Sequence, residues 1–419
     1  MIPKYFVIAM IISFAYKMSF AAGFKSLEEI LNLAYKNNPS IAVSQYSLNA
    51  EKSLVISKAT LDDPTIGVST LDRNSRTQYG TIIQKIQFPV RYILQAKVQS
   101  SRAASFKSKL DMKKLEIRQQ VISLYYAIYS TQKIIQLTKA NMQTVKEFAR
   151  VAEKKYAAGK SPQGDSMKAH FELTQLELEL MRLRQEEETL QDTLKSVINE
   201  HTFEKIDLVN LKITPPKFYS NRVADSLSEL TSKLQDKSPT VKTQAHLLKE
   251  AEYKSSLSKW KYVPDFYLQY QQRISGVPED SQSYSIGITV PLWFWKTESE
   301  SSAASSKLIA QEYHLIDTIQ KMIAKVKELK GKVLIGFKTL KIYETSLIPQ
   351  AQGAYNSIRG AYRANRTSFL DLLDSERSLY RVRTGFYQSL KQYVSLLSEL
   401  ETQLGFTVSD LAMKHEVQK

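Results

Sequence analysis

Residues 90–158 contain no proline and no glycine, and they decide the architecture of the chain. The stretch has the sequence VRYILQAKVQSSRAASFKSKLDMKKLEIRQQVISLYYAIYSTQKIIQLTKANMQTVKEFARVAEKKYAA. Without the two residues that most strongly interrupt helices, the stretch is predicted to form one continuous helix. At about 1.5 Å per residue this helix would span roughly 100 Å, which no compact domain needs. We therefore expect an extended helical protein.

The whole chain is poor in residues that break helices. Its 419 residues include 13 glycines and 12 prolines, about half the usual share. This composition excludes a loop-rich α/β enzyme and a disordered tail. There is no cysteine, which excludes disulfides, thiolate metal sites and a lipid-modified N-terminal cysteine. No internal stretch is apolar for long enough to predict a membrane-spanning helix in the mature chain.

The first residues have the pattern of a secretory signal peptide. Lys4 supplies an early positive charge, residues 5–16 are mostly apolar, and small residues follow, including Ala21 and Ala22. The apolar run is too short for a membrane anchor helix, which is the alternative explanation. We expect residues 1–22 to be a signal peptide that is cleaved near Ala21 or Ala22.

The chain repeats itself. The Leu-Glu-Glu at 27–29 and the Asn-Pro at 38–39 recur as Leu-Ser-Glu at 227–229 and Ser-Pro at 238–239. The segment Tyr156-Ala-Ala-Gly159-Lys160 recurs as Tyr362-Arg-Ala-Asn365-Arg366. Order and spacing hold over most of the chain. We predict two copies of one structural unit at 23–200 and 227–404, a linker at 201–226 and a C-terminal tail at 405–419.

Each copy is predicted to contain a helix, two strands and a long helical hairpin. Apolar residues recur at seven-residue steps in the returning helix of both hairpins, at Leu173, Leu180, Leu194, Leu176, Leu183, Leu190 and Val197, and at Leu372, Leu379, Phe386, Tyr393 and Leu400. Such heptads make helices pack side by side with a left-handed twist. Because the turns between the helices are short, the hairpins are expected to be antiparallel.

Four short segments alternate between apolar and polar residues instead, at 65–70, 80–88, 265–273 and 283–290. This period predicts half-buried strands, and strands of this kind also fit an outer-membrane barrel. A soluble hairpin packed on a helix explains each segment almost as well. However, a soluble core is hard to supply at the end of such long helices. Trp293 and Trp295 follow the last strand, where an interfacial aromatic belt would lie.

Four strands cannot close a barrel on their own. An open sheet edge in lipid would leave backbone N–H and C=O groups without hydrogen bonds. Several chains must therefore contribute strands, and we expect an oligomer. The number of copies does not follow from this argument.

One stretch carries a specific resemblance. It is Tyr362-Arg-Ala-Asn-Arg-Thr-Ser-Phe-Leu-Asp-Leu-Leu-Asp374, followed by Leu379-Tyr380. Together with the repeat and the proline after each strand pair, it resembles the TolC-type outer-membrane efflux protein family over nearly the whole mature chain. The resemblance implies a homotrimer with a 12-stranded barrel in the outer membrane and a helical tunnel through the periplasm. The tunnel tip would meet a periplasmic adaptor protein and an inner-membrane pump.

The resemblance also implies a gate at the tip of the tunnel. Asp371 and Asp374 match the paired aspartates of the family's constriction. Asp165 and Tyr362 match a hydrogen-bonded pair that holds neighbouring tip helices closed. The residues alone leave a second explanation open for the two aspartates, because acids near the start of a helix favour the positive end of its dipole.

The tip turns depart from the family pattern at two positions. Arg366 lies one position before the family's tip arginine, and Thr367 occupies the matching place. Asn365 replaces the family's turn glycine, which Gly159 provides in the first copy. Asparagine is the next best residue at positive φ, so we expect the turn to be preserved.

Patterns typical of enzymes and of metal or nucleic-acid binding are missing from the sequence. No two of the five histidines, at 170, 201, 246, 314 and 415, have the spacing of metal ligands. There is no glycine-rich phosphate loop and no hydrolase motif. The 58 basic residues are dispersed among 42 acidic ones along helices, so nucleic acid is not an expected partner. We expect no enzyme activity and no cofactor, and we expect the excess charge on a solvated exterior that faces anionic lipid or envelope polymers.

Three functions remain open from the sequence. The leading interpretation is a passive exit duct for small molecules or metal ions. An export duct for proteins of the type I secretion class would have the same architecture. A non-transport helical envelope scaffold or adhesin belongs to another class, and it predicts no transmembrane strands.

Overall fold

The structure is a computed structural model that describes residues 26–70, 77–200, 203–211, 213–223, 226–275 and 281–410. The predicted signal peptide at 1–22 and the final part of the tail, 411–419, lie outside the described residues. In the described part of the chain, every helix is either too short or too polar to cross a membrane.

The elements follow the order predicted for the two copies. The first copy contains α1 (Leu27–Asn37), α2 (Pro39–Ala59), β1 (Thr65–Thr70), β2 (Gln78–Ile86), α3 (Pro89–Ala157) and α4 (Gln163–Ile198). The second contains α5 (Leu227–Lys237), α6 (Pro239–Lys259), β3 (Asp265–Ser275), β4 (Gln282–Thr289), α7 (Phe294–Ile342), α8 (Ile348–Arg363) and α9 (Phe369–Leu404). Corresponding helices match in length, with 11 residues in α1 and α5, 21 in α2 and α6, and 36 in α4 and α9. These equal lengths support the two-fold repeat.

The first helix of each copy starts and ends for the same chemical reasons. Ser26 and Ser226 each cap a helix start, because their hydroxyl oxygens accept the N–H of the residue three positions on at 3.2 Å. Asn38 and Ser238 have extended backbone. The proline that follows each of them has no N–H to donate, so a new helix begins there.

The long helices form a wall of four. Helix α3 packs against α4 on one side and α9 on the other, and α9 packs against α7 and α8. The order across the wall is therefore α4, α3, α9 and α7–α8, with α4 and α7–α8 at its two edges, and α7 also packs against α6. A π turn at Tyr343–Leu347 joins α7 to α8, because Pro349 in the first turn of α8 lacks an N–H.

The main hydrophobic core surrounds the middle of α3 and the last part of α9. Tyr125, Tyr126 and Tyr393 are among the largest fully buried side chains. The segment predicted as a linker is packed into this core, where Phe203 is buried and the Tyr393 hydroxyl donates to the Pro216 carbonyl at 2.7 Å. The boundaries drawn between the two copies stay a prediction.

The four strands form one antiparallel sheet in the order β1, β2, β3 and β4. They coincide with the four predicted segments to within two residues at each end. Strand β3 pairs with β2 of the first copy, so the sheet joins the two copies. Strands β1 and β4 are its outer strands.

Candidate channel gate

Two matching turns lie side by side at one end of the wall. Gly159 follows α3 with φ 68°, and Asn365 follows α8 with φ 55°. In both turns the next residue donates its N–H to a carbonyl five positions back, at 2.8 Å for Lys160 and for Arg366. This is a Schellman motif, which needs a residue in the left-handed region. The prediction that Asn365 replaces glycine in this conformation is confirmed.

Asp371 caps the start of α9. Its Oδ2 accepts hydrogen bonds from the Ser368 N–H at 3.1 Å, the Ser368 hydroxyl at 2.6 Å and the Thr367 hydroxyl at 2.7 Å. In return the Asp371 N–H donates to the Ser368 hydroxyl at 3.1 Å, which completes a capping box. The bonds from Ser368 and Thr367 hold the pKa of Asp371 below its usual value. Within one chain, the helix-start explanation therefore accounts for this aspartate, and its place in a constriction stays a prediction.

Asp374 and Arg366 are both exposed near the tip. Asp374 lies three residues after Asp371, so the two carboxylates project from the same side of α9. The main chain of Arg366 closes the turn by donating to Ala361. The roles of the Arg366 and Asp374 side chains in a gate stay predictions.

No hydrogen bond joins Asp165 to Tyr362 in the described chain. The Tyr362 ring packs edge-on against Phe369, with the ring centroids 6.1 Å apart, and the Lys155 ammonium lies 4.2 Å from the Tyr362 ring centroid. The same ammonium donates to Asn365 Oδ1 at 3.3 Å. Lys155 therefore links the two tip turns within one chain. The sequence analysis missed this residue, and the bond between Asp165 and Tyr362 stays a prediction for the assembled protein.

A buried polar cluster lies where α3, α4 and α9 meet below the tip turns. We call Asn141, Glu172, Glu376 and Arg377 the acid cluster. Glu172 on α4 forms an ion pair with Arg377 on α9, in which Arg377 Nε donates to Glu172 Oε1 at 3.3 Å. Glu376 is only 7% exposed. With its amide nitrogen turned towards Glu376, Asn141 donates to both carboxylate oxygens, at 2.6 Å for Oε2.

Glu376 has no ion-pair partner of its own among the described residues. Arg377 is engaged by Glu172, and Arg383 donates to Gln352 Oε1 on α8 at 2.5 Å. Burial raises the pKa of Glu376 to about 7, and the Glu172 charge raises it too, whereas Asn141 and the two arginines lower it. Glu376 is therefore protonated in a large fraction of molecules at neutral pH.

The sequence contained a signal for this cluster. The core positions of α9 follow a spacing of three and four residues, at 369, 372, 376, 379, 383, 386, 390, 393, 397, 400 and 404. All are apolar except Glu376 and Arg383. Charged residues at heptad core positions indicate buried polar contacts.

The histidines within the described chain build no metal site. His170 Nε2 lies 2.7 Å from Glu153 Oε1 across the hairpin of α3 and α4, and both side chains are exposed. No group of three potential ligands converges anywhere in the described ranges. His201 and His415 lie outside them.

Comparison with known proteins agrees with this architecture. No protein-family model matches the chain. The cobalt-zinc-cadmium resistance protein CzcC of Cupriavidus metallidurans is 20% identical over 394 residues, which cover 92% of this chain and 91% of CzcC. The structure of CusC matches with a TM-score of 0.79 at 13% identity, covering 93% of this chain and 96% of CusC. The outer membrane protein VceC of Vibrio cholerae matches with a TM-score of 0.75 at 14% identity, covering 91% of this chain and 96% of VceC.

These matches span nearly the full length of both partners. The resemblance to TolC-type proteins is confirmed, and the chain has their fold, which is mainly helical with one small antiparallel sheet. At this level of identity the structural matches establish the fold alone.

Proposed function

We propose that the chain is one subunit of a passive exit duct in the outer membrane, which three copies form together. The observation that carries this proposal is the open sheet. Its outer strands β1 and β4 expose the apolar side chains of Ile66, Val68, Ile286 and Ile288. An apolar sheet face is stable in lipid only when its edges are closed by further strands, and other copies of the chain can supply them.

The helical wall also has two complementary free edges. Along α4, an exposed apolar stripe contains Met167, Phe171, Leu178 and Met181, and α7 exposes Ile335 and Ile342. Because these stripes lie on opposite edges of the wall, each copy would present a different edge to each neighbour. Head-to-tail contacts of this kind close into a ring when the rotation between copies allows it.

The number of copies follows from the strand count and the resemblance together. Two copies would give an eight-stranded barrel, whose interior is just wide enough for side chains. Three copies would give the 12 strands that the resemblance implies and would leave a wider interior. The exposed Trp293 and Trp295 directly after β4 would then lie at the membrane interface.

The gate proposal places the aspartates of α9 around the narrow end of the tunnel. Three copies of Asp371 and Asp374 would bring six carboxylates to one ring, which would attract cations and repel one another. Asp165, Tyr362 and Arg366 would hold the tip closed between helices. The matching φ values of the tip turns and the shared side of the two aspartates support this arrangement.

The tip turns at Gly159 and Asn365 would meet a periplasmic adaptor protein that connects the duct to an inner-membrane pump. For the cargo we favour metal ions or other small molecules, because CzcC is described as a cobalt-zinc-cadmium resistance protein. Export of proteins would use the same architecture. Loss of metal tolerance after deletion of the chain, with protein secretion unchanged, would distinguish the two cargo classes.

Two neighbouring residues on β4 test the membrane assembly. Ile286 is 80% exposed on the apolar face, and Ser285 points to the opposite face. An arginine on the lipid side at mid-membrane costs roughly 2–4 kcal/mol. We expect Ile286→Arg to impair formation of a detergent-soluble trimer, measured by light scattering, and Ser285→Arg to be tolerated. A stable monomer without detergent, or equal tolerance of both variants, would contradict the proposal.

The charge of the constriction can be tested separately. We expect the double variant Asp371→Asn, Asp374→Asn to form trimers but to lose the block that a polyvalent cation imposes from the tip side in planar bilayers. Asparagine can still accept the hydrogen bonds that cap α9, so the change removes mainly charge. The matched control is Asp317→Asn on α7, which should leave the block intact. An unchanged block in the double variant would leave the aspartates as helix-start residues only.

A further inference from the structure

We propose that the acid cluster is a proton-operated latch, which holds α9 against α3 and α4 below the tip and is released when Glu376 loses its proton. The inference rests on the proposed duct for one consequence only, namely that release of α9 would widen the tunnel. The chemistry of the latch belongs to a single chain.

The groups that face Glu376 come from every helix packed around it. Helix α3 contributes Asn141, which carries no charge, and α4 contributes Glu172. On α9 itself, Arg377 and Arg383 are the nearby cations, and each is already held by another side chain, Glu172 and Gln352 respectively.

Tyr380 and Glu179 complete the surroundings of the cluster. The Tyr380 hydroxyl lies 2.8 Å from the Thr138 hydroxyl on α3. Burial raises the pKa of Tyr380, and the charges of Glu179, Glu376 and Glu172 add to this effect, so Tyr380 stays neutral near pH 7. Arg377 and Arg383 lower the pKa of Glu376 through their charges, but among the described residues neither guanidinium forms an ion pair with its carboxylate.

Asn141 can form a hydrogen bond with Glu376 whether the carboxyl is protonated or ionised. When Glu376 is protonated, its O–H can donate to Asn141 Oδ1. When the proton has left, a half turn of the amide lets Nδ2 donate to the carboxylate. The amide thus keeps a hydrogen bond in either state, but it does not neutralise the buried charge, which the Glu172 carboxylate also repels.

The tip side of the acid cluster has an apolar packing of its own, which is much smaller than the main core. Phe369 and Leu373 of α9 are buried there in a cluster that also contains Val145, Leu176 and three alanines. The charge at Glu376 acts beside this limited apolar contact, so it shifts the balance between the packed and separated states of the tip.

The direction of the pH effect follows from linkage. The pKa of Glu376 is about 7 when α9 is packed, against 4.5 for a glutamate side chain in water. Below both values the carboxyl is neutral whether α9 is packed or separated, so the latch is at full strength. Between them, separation releases a proton, and the ratio of packed to separated forms falls by up to about tenfold per pH unit. The latch is weakest above pH 7, where the effect levels off.

Spin labels can follow this separation directly, because the chain has no cysteine of its own. Labels attached to Lys160→Cys and Arg363→Cys report the distance between the two exposed tip turns. Labelled chains diluted into unlabelled ones isolate distances within one chain. Pulsed EPR from pH 4 to pH 8 should then show a shift to longer distances as the pH rises, with a midpoint between about 4.5 and 7.

Two matched glutamate variants make the test specific. Glu376→Gln keeps the size and hydrogen bonding of the neutral acid, so the short distance should persist at every pH. Glu250→Gln changes another buried glutamate, which pairs with Lys254 on α6, and it should titrate like the unmodified chain. Distances that stay constant with pH, or a Glu376→Gln variant that titrates normally, overturn the latch.

Conductance of the same samples in planar bilayers separates this inference from the proposed duct. A pH-dependent distance without pores would refute the duct and leave the latch standing. If pores form but neither the distance between the tip labels nor the conductance changes with pH, the duct is supported and the latch is overturned.

Discussion

Each end of α9 buries a glutamate, but the two carboxylates have different hydrogen-bond and ion-pair partners. At the core end, Glu401 is 1% exposed and accepts hydrogen bonds from Arg118 Nη1 at 2.8 Å, the Val408 N–H at 2.8 Å and the Ser409 hydroxyl at 2.6 Å. At the tip end, Glu376 accepts hydrogen bonds from the Asn141 amide. The same residue type is thus paired with a cation at one end, whereas at the other it has no ion-pair partner among the described residues.

The difference separates a fixed part of the helix from a movable one. Separating Glu401 from its cation would leave a buried charge without a partner, which costs much free energy. The core end of α9 therefore stays packed. A buried carboxylate without an ion-pair partner can keep or lose its proton near neutral pH, and in the proposed latch this makes the tip end respond to pH. One helix therefore joins a rigid core to a responsive tip.

The largest expected effect comes from removing the cation at the core end. Arg118→Met leaves the Glu401 charge buried without its partner, and breaking such a pair costs about 3–5 kcal/mol. We expect a large drop in the thermal unfolding midpoint of the detergent-solubilised protein, recorded by circular dichroism.

The matched variant at the tip end is Arg377→Met. The Arg377 side chain is 39% exposed, although its partner Glu172 is only 7% exposed, whereas Arg118 and Glu401 are 11% and 1% exposed. Water reaches the arginine end of the tip pair, so we expect a smaller loss of stability than for Arg118→Met. Equal destabilisation by the two variants would remove the distinction between the two ends of α9.

Much of this fold could be predicted from the sequence, because its signals are local. The lack of proline and glycine at 90–158 predicted a helix that the structure places at Pro89–Ala157. The alternating segments predicted all four strands. The π turn at Tyr343–Leu347 and the packing of residues 203–223 into the core depend on neighbouring helices, so the local pattern did not indicate them.

The candidate gate, too, could be predicted from the sequence only where local residues determine its structure. The conformation of Asn365 could be predicted because its neighbours determine the turn, and the cap at Asp371 was one of two explanations that the sequence left open. Lys155 and the acid cluster were missed, because their contacts join α3 and α4 of the first copy to the second copy. Periodicity shows which side of a helix is buried, but it does not show which helix covers that side.

An intermediate effect is expected at the helix caps of the two regions. Ser368→Ala removes the capping box of α9 at the tip, and Ser26→Ala removes the equivalent box of α1 beside the main core. Each cap contributes about 0.5–2 kcal/mol. We expect Ser26→Ala to lower the unfolding midpoint, since the buried Ile30 of α1 belongs to the main core.

At the tip, the same loss should stay local. We expect Ser368→Ala to speed amide hydrogen exchange in the first turn of α9 while it barely moves the unfolding midpoint. A global loss of stability from Ser368→Ala that matches the loss from Ser26→Ala would show that the tip unfolds together with the core.

The smallest expected effect concerns Lys155, whose ammonium joins the ring of Tyr362 to the side chain of Asn365. Lys155→Met keeps the length of the side chain and removes its charge. An exposed cation–π contact contributes about 0.5–1 kcal/mol, so the ratio of closed to open tips should fall roughly twofold to fivefold in each copy. Single-channel recordings should therefore show longer open times without a change in trimer assembly.

Lys154→Met is the matched control, because Lys154 is exposed on the same turn and contacts neither partner in the described chain. If both variants lengthened the open times equally, net charge at the tip would explain the result, and Lys155 would not be the link between the two turns.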